Sequence, residues 1–316
     1  MLQRGFGIWR QIQMGEMRIV LRKAWARLHG YRDISWGMLY HSANANWIAS
    51  YLQTHQGNNQ PVCAHRHIDI IIVSYNGLEY LRECIASILA FTTCPDYRIT
   101  IVDNASEALV CNYLRDLAKA EKRIQIVFNA SNLGFAAANN LGLRLAAERD
   151  FVVLLNNDTA VSPGWLCRLV EHARRPDAGL VGPVTNWTGN EAKIPVPYRS
   201  ASGMPDFAEA YTRAHAGQVF DIAMLAMYCV AMRRAVIERV GLLDERFGIG
   251  LFEDEDYARR VRQVGLRILC AQDVFVHHYG MSSFSRLPSA QYYQLFEHNR
   301  QLFEAKWGES WSPHGT

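Results

Sequence analysis

The stretch FVVLLNNDTAV, from Phe151 to Val161, decides how the rest of the chain is read. Its first residues are apolar and rich in valine and leucine, the mark of a buried strand. They run directly into an Asn-Asn-Asp turn and a helix-start signal at Ser162-Pro163. Open α/β sheets bind ligands beyond the carboxyl ends of their strands, so Asp158 is aimed at a crevice. One carboxylate beside the amides of Asn156 and Asn157 suits a hard divalent cation that keeps part of its shell for water and substrate phosphates. The same residues also suit a plain turn and helix cap. What else reaches that sheet edge decides between the two.

Working outward, the pattern from Ile68 is strand, helix, strand, helix. Strands are predicted at Ile68 to Ser74, Arg98 to Asp103, Ile124 to Phe128 and Phe151 to Leu155, with helices near 78–91, 107–120 and 135–148. This is an α/β chain with a mostly parallel central sheet, flanking helices and right-handed crossovers. Upstream, residues 1–30 place Phe6, Trp9, Ile12, Val20, Leu21, Trp25 and Leu28 near one helical face with arginines beside it. Such a basic amphipathic helix either lies on an anionic membrane surface or packs on the main domain or a second subunit. The polar run Gln56-Gly57-Asn58-Asn59-Gln60-Pro61 marks a boundary, giving a helical basic extension over 1–62 and a main domain with a C-terminal helix over 63–316. Past Val184 the segment Thr185 to Pro205, with Trp187, reads as variable structure on the acceptor side.

Composition excludes several classes. At 316 residues, 49% hydrophobic and 20% charged, the chain is an ordinary globular protein rather than a disordered one. Its net charge of +3 is uneven, with +6 in residues 1–32 and −3 in the rest, so the main body presents no basic face for nucleic acid. The seven cysteines form no CxxC pair and are odd in number, which points to reduced thiols in a cytosol rather than a disulfide framework or a zinc site. The longest uncharged apolar run, Ile222 to Met232, is too short to cross a bilayer.

Further motifs sit at predicted strand ends. The first strand closes on Ser74-Tyr75-Asn76-Gly77, which either holds a nucleobase or starts the next helix; the second closes on Asp103-Asn104-Ala105-Ser106 and brings a second carboxylate to the edge. Asn132-Leu133-Gly134-Phe135 opens the third helix, where glycine permits close approach to backbone, and Asn139-Asn140 lies inside it. Neither GxGxxG nor GxxxxGK[ST] is present, which disfavours dinucleotide and P-loop chemistry. The acids Glu253, Asp254, Glu255 and Asp256 open a helix, where they complement its dipole. Packed so closely they also raise one another's pKa, and one raised carboxylate in a cleft can act as a general base. Finally His277 and His278 end a strand, as structural residues or as ligands for a Mn²⁺-like ion near a carboxylate.

Taken in order, VSYN, VDNAS, NLGFAAANNLG, LLNNDT, GLLDERFG, FEDEDY and HxxGxS resemble the family 2 inverting glycosyltransferases of the GT-A fold, particularly the rhamnosyl- and galactofuranosyltransferase branch, over roughly residues 68–285. The resemblance implies a Rossmann-like GT-A domain that moves a hexosyl or deoxyhexosyl group from a UDP- or dTDP-linked sugar to a hydroxyl of a glycan, lipid-linked or other acceptor. The setting it implies is cell-surface polysaccharide or glycoconjugate synthesis in the cytoplasm, with contact at the inner membrane face through residues 1–30 and self-association as further options. It also implies roles. Ser74, Tyr75, Asn76, Asp103, Asn132, Gly134, Asn140, Asn156 and Asn157 would contact the nucleotide sugar. Asp158 and His277 would bind Mn²⁺ or Mg²⁺. Asp254 would be the catalytic base supported by Glu253, and Trp187, Asp256 and His278 would face the acceptor. The chain departs from the family pattern at Asn156, where many members carry Asp, at Glu107-Ala108-Leu109 and at Asn139. The alternative is a non-catalytic module that binds a sugar nucleotide and transfers nothing.

Overall fold

The structure, a computed structural model, describes residues 46–55, 67–280 and 289–312. Helix α1 (Asn46–Thr54) precedes three strand and helix units, β1 (Ile68–Ser74) with α2 (Leu78–Phe91), β2 (Tyr97–Asp103) with α3 (Ala108–Ala120), and β3 (Ile124–Phe128) with α4 (Phe135–Leu145). There follow β4 (Phe151–Asn156), β5 (Thr159–Val161), α5 (Trp165–Ala173), β6 (Ala178–Val184), α6 (Met204–Ala214), β7 (Val219–Asp221), β8 (Cys229–Arg233), α7 (Arg234–Val240), α8 (Glu253–Gln263), β9 (Arg267–His278) and α9 (Ser289–Trp307).

The sheet runs β3-β2-β1-β4-β8-β6-β9-β5, with β7 on β9. Its first four strands are parallel, and β8 runs antiparallel to both β4 and β6. Register brings the carboxyl ends level, Ser74 beside Asp103 and Val73 beside Asn156. Chain order steps outward from β1 to β3 and then returns to place β4 on the other side of β1. At such a reversal the loops after neighbouring strands part and leave a crevice, here between Ser74 and Asn156. The strands are apolar on both faces because helices cover both: Ile68, Ile70, Ile71 and Ile72 of β1 have no exposed surface.

The α/β expectation holds, with differences of detail. The Asn-Asn-Asp turn leads into β5 before α5 begins at Trp165, and left-handed Gly164 rather than Ser162 caps that helix. Of the apolar run 222–232, only the part from Cys229 is strand. Helix α1 buries Trp47, Ile48 and Tyr51, and Tyr51 meets Phe91 of α2 edge-on at 5.6 Å. The basic helix expected over 1–30 and the polar run 56–61 lie outside the described residues. The expectation of reduced thiols is corrected at Cys94, which is disulfide-bonded, while Cys84, Cys111, Cys167, Cys229 and Cys270 are free. Among the described residues no helix is long and apolar enough to cross a membrane.

Candidate active site

The ends of β1 and β2 form one wall. Ser74 and Asp103 are side by side and fully buried, and both Ser74 Oγ and Asp103 Oδ1 find no hydrogen-bond partner among the described residues. Leaving a buried oxygen unpaired costs roughly 1–3 kcal/mol, so two at one sheet edge mark a surface built for a polar ligand. The other Asp103 oxygen accepts from Ser106 N at 3.1 Å. The wall is held by Asn104, whose Nδ2 donates to Asn132 Oδ1 (2.7 Å) and Gly134 O (3.2 Å), while its Oδ1 accepts from Leu133 N (2.9 Å) and Asn129 Nδ2 (3.1 Å). Asn76, at φ 58°, accepts from Glu107 N with its side chain, tying the first two strand-end loops together. Tyr75 stands exposed at the rim.

The second wall is built by β4, β5 and β9. The turn after β4 buries Asp158, and its carbonyl accepts from Tyr279 N at 2.9 Å. His278 donates Nδ1–H to the carbonyl of Trp187 at 2.9 Å, because a carbonyl only accepts. In the neutral ring Nε2 then carries a lone pair, and it lies 3.5 Å from Asp158 Oδ1. Two acceptors facing each other are stable only with a cation or proton between them, and cis ligands about 2.1 Å from one ion lie about 3 Å apart. The ring of Tyr228 stacks on His278 at 4.8 Å and Asn186 bonds its backbone in both directions, so the imidazole is fixed. His277, one residue earlier on the strand, points to the other face. Its Nδ1 meets Tyr198 OH at 2.6 Å, its Nε2 is buried without a hydrogen-bond partner among the described residues, and burial drives its pKa down to about 3, helped by His278 and opposed by Asp158. These residues fit a cation that takes its remaining ligands from water and phosphate, as Mg²⁺ and Mn²⁺ do. No cluster of three or more His, Cys, Asp or Glu side chains suited to a metal occurs among the described residues.

The third part is the loop into α8. Gly134, at φ 84°, packs so closely that a Cβ there would come within 2.0 Å of Gly248 O, and Phe135 N donates to that same carbonyl at 3.2 Å. Beyond it Leu251 (φ 78°) and Phe252 (φ 74°) are both left-handed, which costs non-glycine residues about 1–3 kcal/mol each and persists only where surroundings enforce it. The loop thus delivers Glu253 and Asp254 to the amino end of α8, away from the sheet's hydrogen-bonding network. Glu253 is buried with Oε2 unpaired among the described residues, and burial, with the neighbouring Asp254 charge, pushes its pKa up to about 8. Asp254 accepts from Glu255 N at 2.8 Å.

Several expected site residues land elsewhere. His278, expected on the acceptor side, has its Nε2 3.5 Å from Asp158 Oδ1, while His277, expected as the metal ligand, meets Tyr198 through Nδ1 and keeps a buried Nε2 without a hydrogen-bond partner among the described residues. Asp256, expected toward the acceptor, lies about 200° around the helix from Asp254. It is fully buried among Arg260, Lys306 and Trp307, tying α8 to α9. Asn140 spends its amide on Leu243 O and Glu245 Oε1 and its oxygen on Leu243 N, so it anchors the segment before the loop instead of touching a nucleotide. Asn132 turns its oxygen inward to Asn104 and Gly134 N. Asn157 reaches Asn76 O at 3.4 Å, Asn156 is half-buried at the end of β4, and Trp187 sits beside His278. Asn104, Tyr198, Tyr228 and Asn299 escape sequence reasoning. Only Asn104 carried a signal, its place directly after the carboxylate that ends β2.

The family model for glycosyl transferase family 2 matches residues 69–241. The O-antigen biosynthesis protein RfbC of Myxococcus xanthus is 27% identical over 267 residues, covering 81% of this chain and 21% of that protein. The uncharacterized glycosyltransferase EpsJ of Bacillus subtilis is 24% identical over 252 residues, covering 76% of this chain and 68% of its own. The chain spans only 27% to 55% of three further curated relatives. Among solved structures, the mannosyltransferase PcManGT from Pyrobaculum calidifontis, in complex with GDP-Man and Mn²⁺, superposes with a TM-score of 0.58 at 18% identity, covering 85% of this chain and 74% of that one. GalNAc-T7 with UDP, GalNAc and Mn²⁺ gives a TM-score of 0.55 at 15% identity over 70% of this chain and 44% of that one. With a family match over more than half its length and the parallel strand edge, paired walls and acidic helix start described above, the chain belongs to glycosyl transferase family 2 and has the GT-A fold.

Proposed function

We propose that the chain is an inverting glycosyltransferase that moves a sugar from a UDP- or dTDP-linked donor to a hydroxyl acceptor. The observation that carries this reading is the meeting of the loop bearing Glu253 and Asp254 with the Asn132-Leu133-Gly134 turn, at the same sheet edge that presents Ser74, Asp103 and Asp158. Ser74 and Asp103 would receive base and ribose donors with their unpaired oxygens, which are acceptor sites that a nucleoside can fill.

A divalent cation, held by Asp158 and His278 with His277 close behind, would neutralise charge on the departing diphosphate. Asp254 takes the acceptor's proton as its oxygen attacks the anomeric carbon from the face opposite the diphosphate, so one displacement inverts the centre. Glu253 is the reason this works near neutral pH: held protonated by burial up to about 8, it adds no second negative charge beside the base. The fixed loop sets the attack geometry, which in oriented reactions lowers the barrier by several kcal/mol.

The names of two relatives, O-antigen biosynthesis and succinoglycan biosynthesis, support a role in surface polysaccharide or glycoconjugate assembly. Membrane contact through residues 1–30 and self-association belong to the same proposal, and liposome sedimentation and light scattering test them. The donor reading is tested by screening UDP- and dTDP-sugars for thermal stabilisation in Mn²⁺, then following nucleoside diphosphate release and the anomer formed by NMR. A product that retains the donor's anomeric configuration overturns inversion, and the absence of any stabilising or hydrolysed donor overturns the function.

A further inference from the structure

The loop that presents Glu253 and Asp254 is held from behind by a residue with no other evident task. Asn299 of α9 is 1% exposed, and its Nδ2 donates to Phe247 O (2.8 Å), Gly250 O (2.8 Å) and Leu251 O (3.1 Å). Three carbonyls converging on one point need a side chain with two N–H donors at short reach, and only an amide of this length supplies them there. The segment they belong to has left-handed backbone at Gly248, Leu251 and Phe252, a conformation that two non-glycine residues do not keep unless something holds it. The packing around the clamp is set apart from the main core. Phe247, Phe252 and Phe303 form their own buried cluster, with Trp307 and Trp311 against it. Helix α9 is joined to α8 as well, through Lys306 and Trp307 on Asp256.

We infer that Asn299 is a positioning residue for the transfer reaction, clamping the strained 247–252 loop so that the Asp254 carboxylate meets the acceptor hydroxyl. The inference rests on the reading of Asp254 as the base. Among the described residues the Asn299 amide bonds the loop carbonyls and no residue on the Ser74 and Asp158 walls, so losing the clamp leaves the donor bound and slows the step that follows.

The test compares Asn299→Asp and Asn299→Ala with the parent full-length chain, with Arg300→Ala as a control. Among the described residues Arg300 pairs only along the surface of its own helix with Glu297 and Glu304, one residue from the clamp. Asn299→Asp keeps the shape but turns an acceptor toward three carbonyls. The expected result is a kcat lower by on the order of 100-fold, the size of effect that a 1 Å misplacement of a catalytic group produces. Donor KM, UDP affinity and the number of UDP sites per chain stay unchanged, Arg300→Ala behaves as the parent, and amide hydrogen exchange rises by about tenfold or more in residues 248–256 alone. A kcat close to the parent's overturns the inference. So does a kcat that falls in proportion to the fraction of chains still binding UDP, or exchange that rises throughout the molecule, since a merely structural residue does that. If Asn299→Asp does not fold, Asn299→Ala decides by the same comparisons. Asp254→Asn run alongside separates the two claims: retained transfer there removes the base, while loop exchange still reports on the clamp.

Discussion

Gly134→Ala puts the contact between the two halves of the site under direct stress. The new Cβ would lie 2.0 Å from Gly248 O, 2.5 Å from its carbon and 3.0 Å from Ile249 N, all backbone atoms that cannot swing aside as a side chain would. The φ of 84° adds strain of about 1–3 kcal/mol for any residue with a Cβ. Separating the two segments also breaks the Phe135 N to Gly248 O hydrogen bond, worth about 1 kcal/mol. Strain and the lost hydrogen bond together cost the fold about 2–4 kcal/mol, a fall in Tm of roughly 3–6 °C for a chain of 316 residues. If the loop yields by the roughly 1 Å that relieves the overlap, the shift passes along Leu251 and Phe252 to Asp254, and kcat drops on the order of 100-fold. Differential scanning fluorimetry and steady-state release of nucleoside diphosphate measure the two responses on one preparation. A variant within about 1 °C and about twofold of the parent in both would refute the packing of this loop on the Asn132-Leu133-Gly134 turn.

The remaining predictions address the carboxylates and the imidazole wall. Because Glu253 keeps its proton up to about pH 8 when folded and loses it near 4.5 when unfolded, the folded chain binds more protons between those values, and its stability falls as pH rises through that window. Glu253→Gln removes this slope, so denaturation midpoints of variant and parent coincide near pH 4 and separate by pH 9 in the variant's favour. Asp158→Asn weakens Mn²⁺ binding by at least the roughly 10- to 100-fold that loss of an outer-shell partner costs, and EDTA abolishes donor-induced stabilisation of the parent; calorimetry with Mn²⁺ and UDP checks both. Gly280→Ala drives a Cβ to 2.0 Å from the Trp187 ring, which displaces the Trp187 carbonyl that orients His278; metal affinity falls while affinity for an unphosphorylated nucleoside is unchanged.

Much of the fold was legible because β1 to β4 are dominated by isoleucine, valine and leucine and run into polar turns, and a parallel sheet puts all such ends on one edge. That is why Ser74, Asp103 and Asp158 could be placed at one sheet edge from the sequence, their joint roles following from the family resemblance. The strands beyond β4 were less visible: AGLVGPV in β6 carries two glycines and a proline, and β5 and β7 have three residues each. The acids at the start of α8 read as one charge run, yet 100° of helical turn per residue splits them between a cleft and a buried knot on α9. Which of two adjacent histidines faces Asp158 depends on strand pairing with β5, where Thr159 opposes His278 and Ala160 opposes His277. Asn299 gave no local signal, since its partners lie 48 to 52 residues away.

The account stands most directly on the separation of binding from transfer at Asp254. Titrating Asp254→Asn with the preferred donor and then measuring single-turnover transfer to acceptor gives both quantities on one protein. The predicted result is donor affinity within about threefold of the parent with transfer reduced by about 100-fold or more, the scale of a lost general base. Transfer at the parent's rate would contradict it.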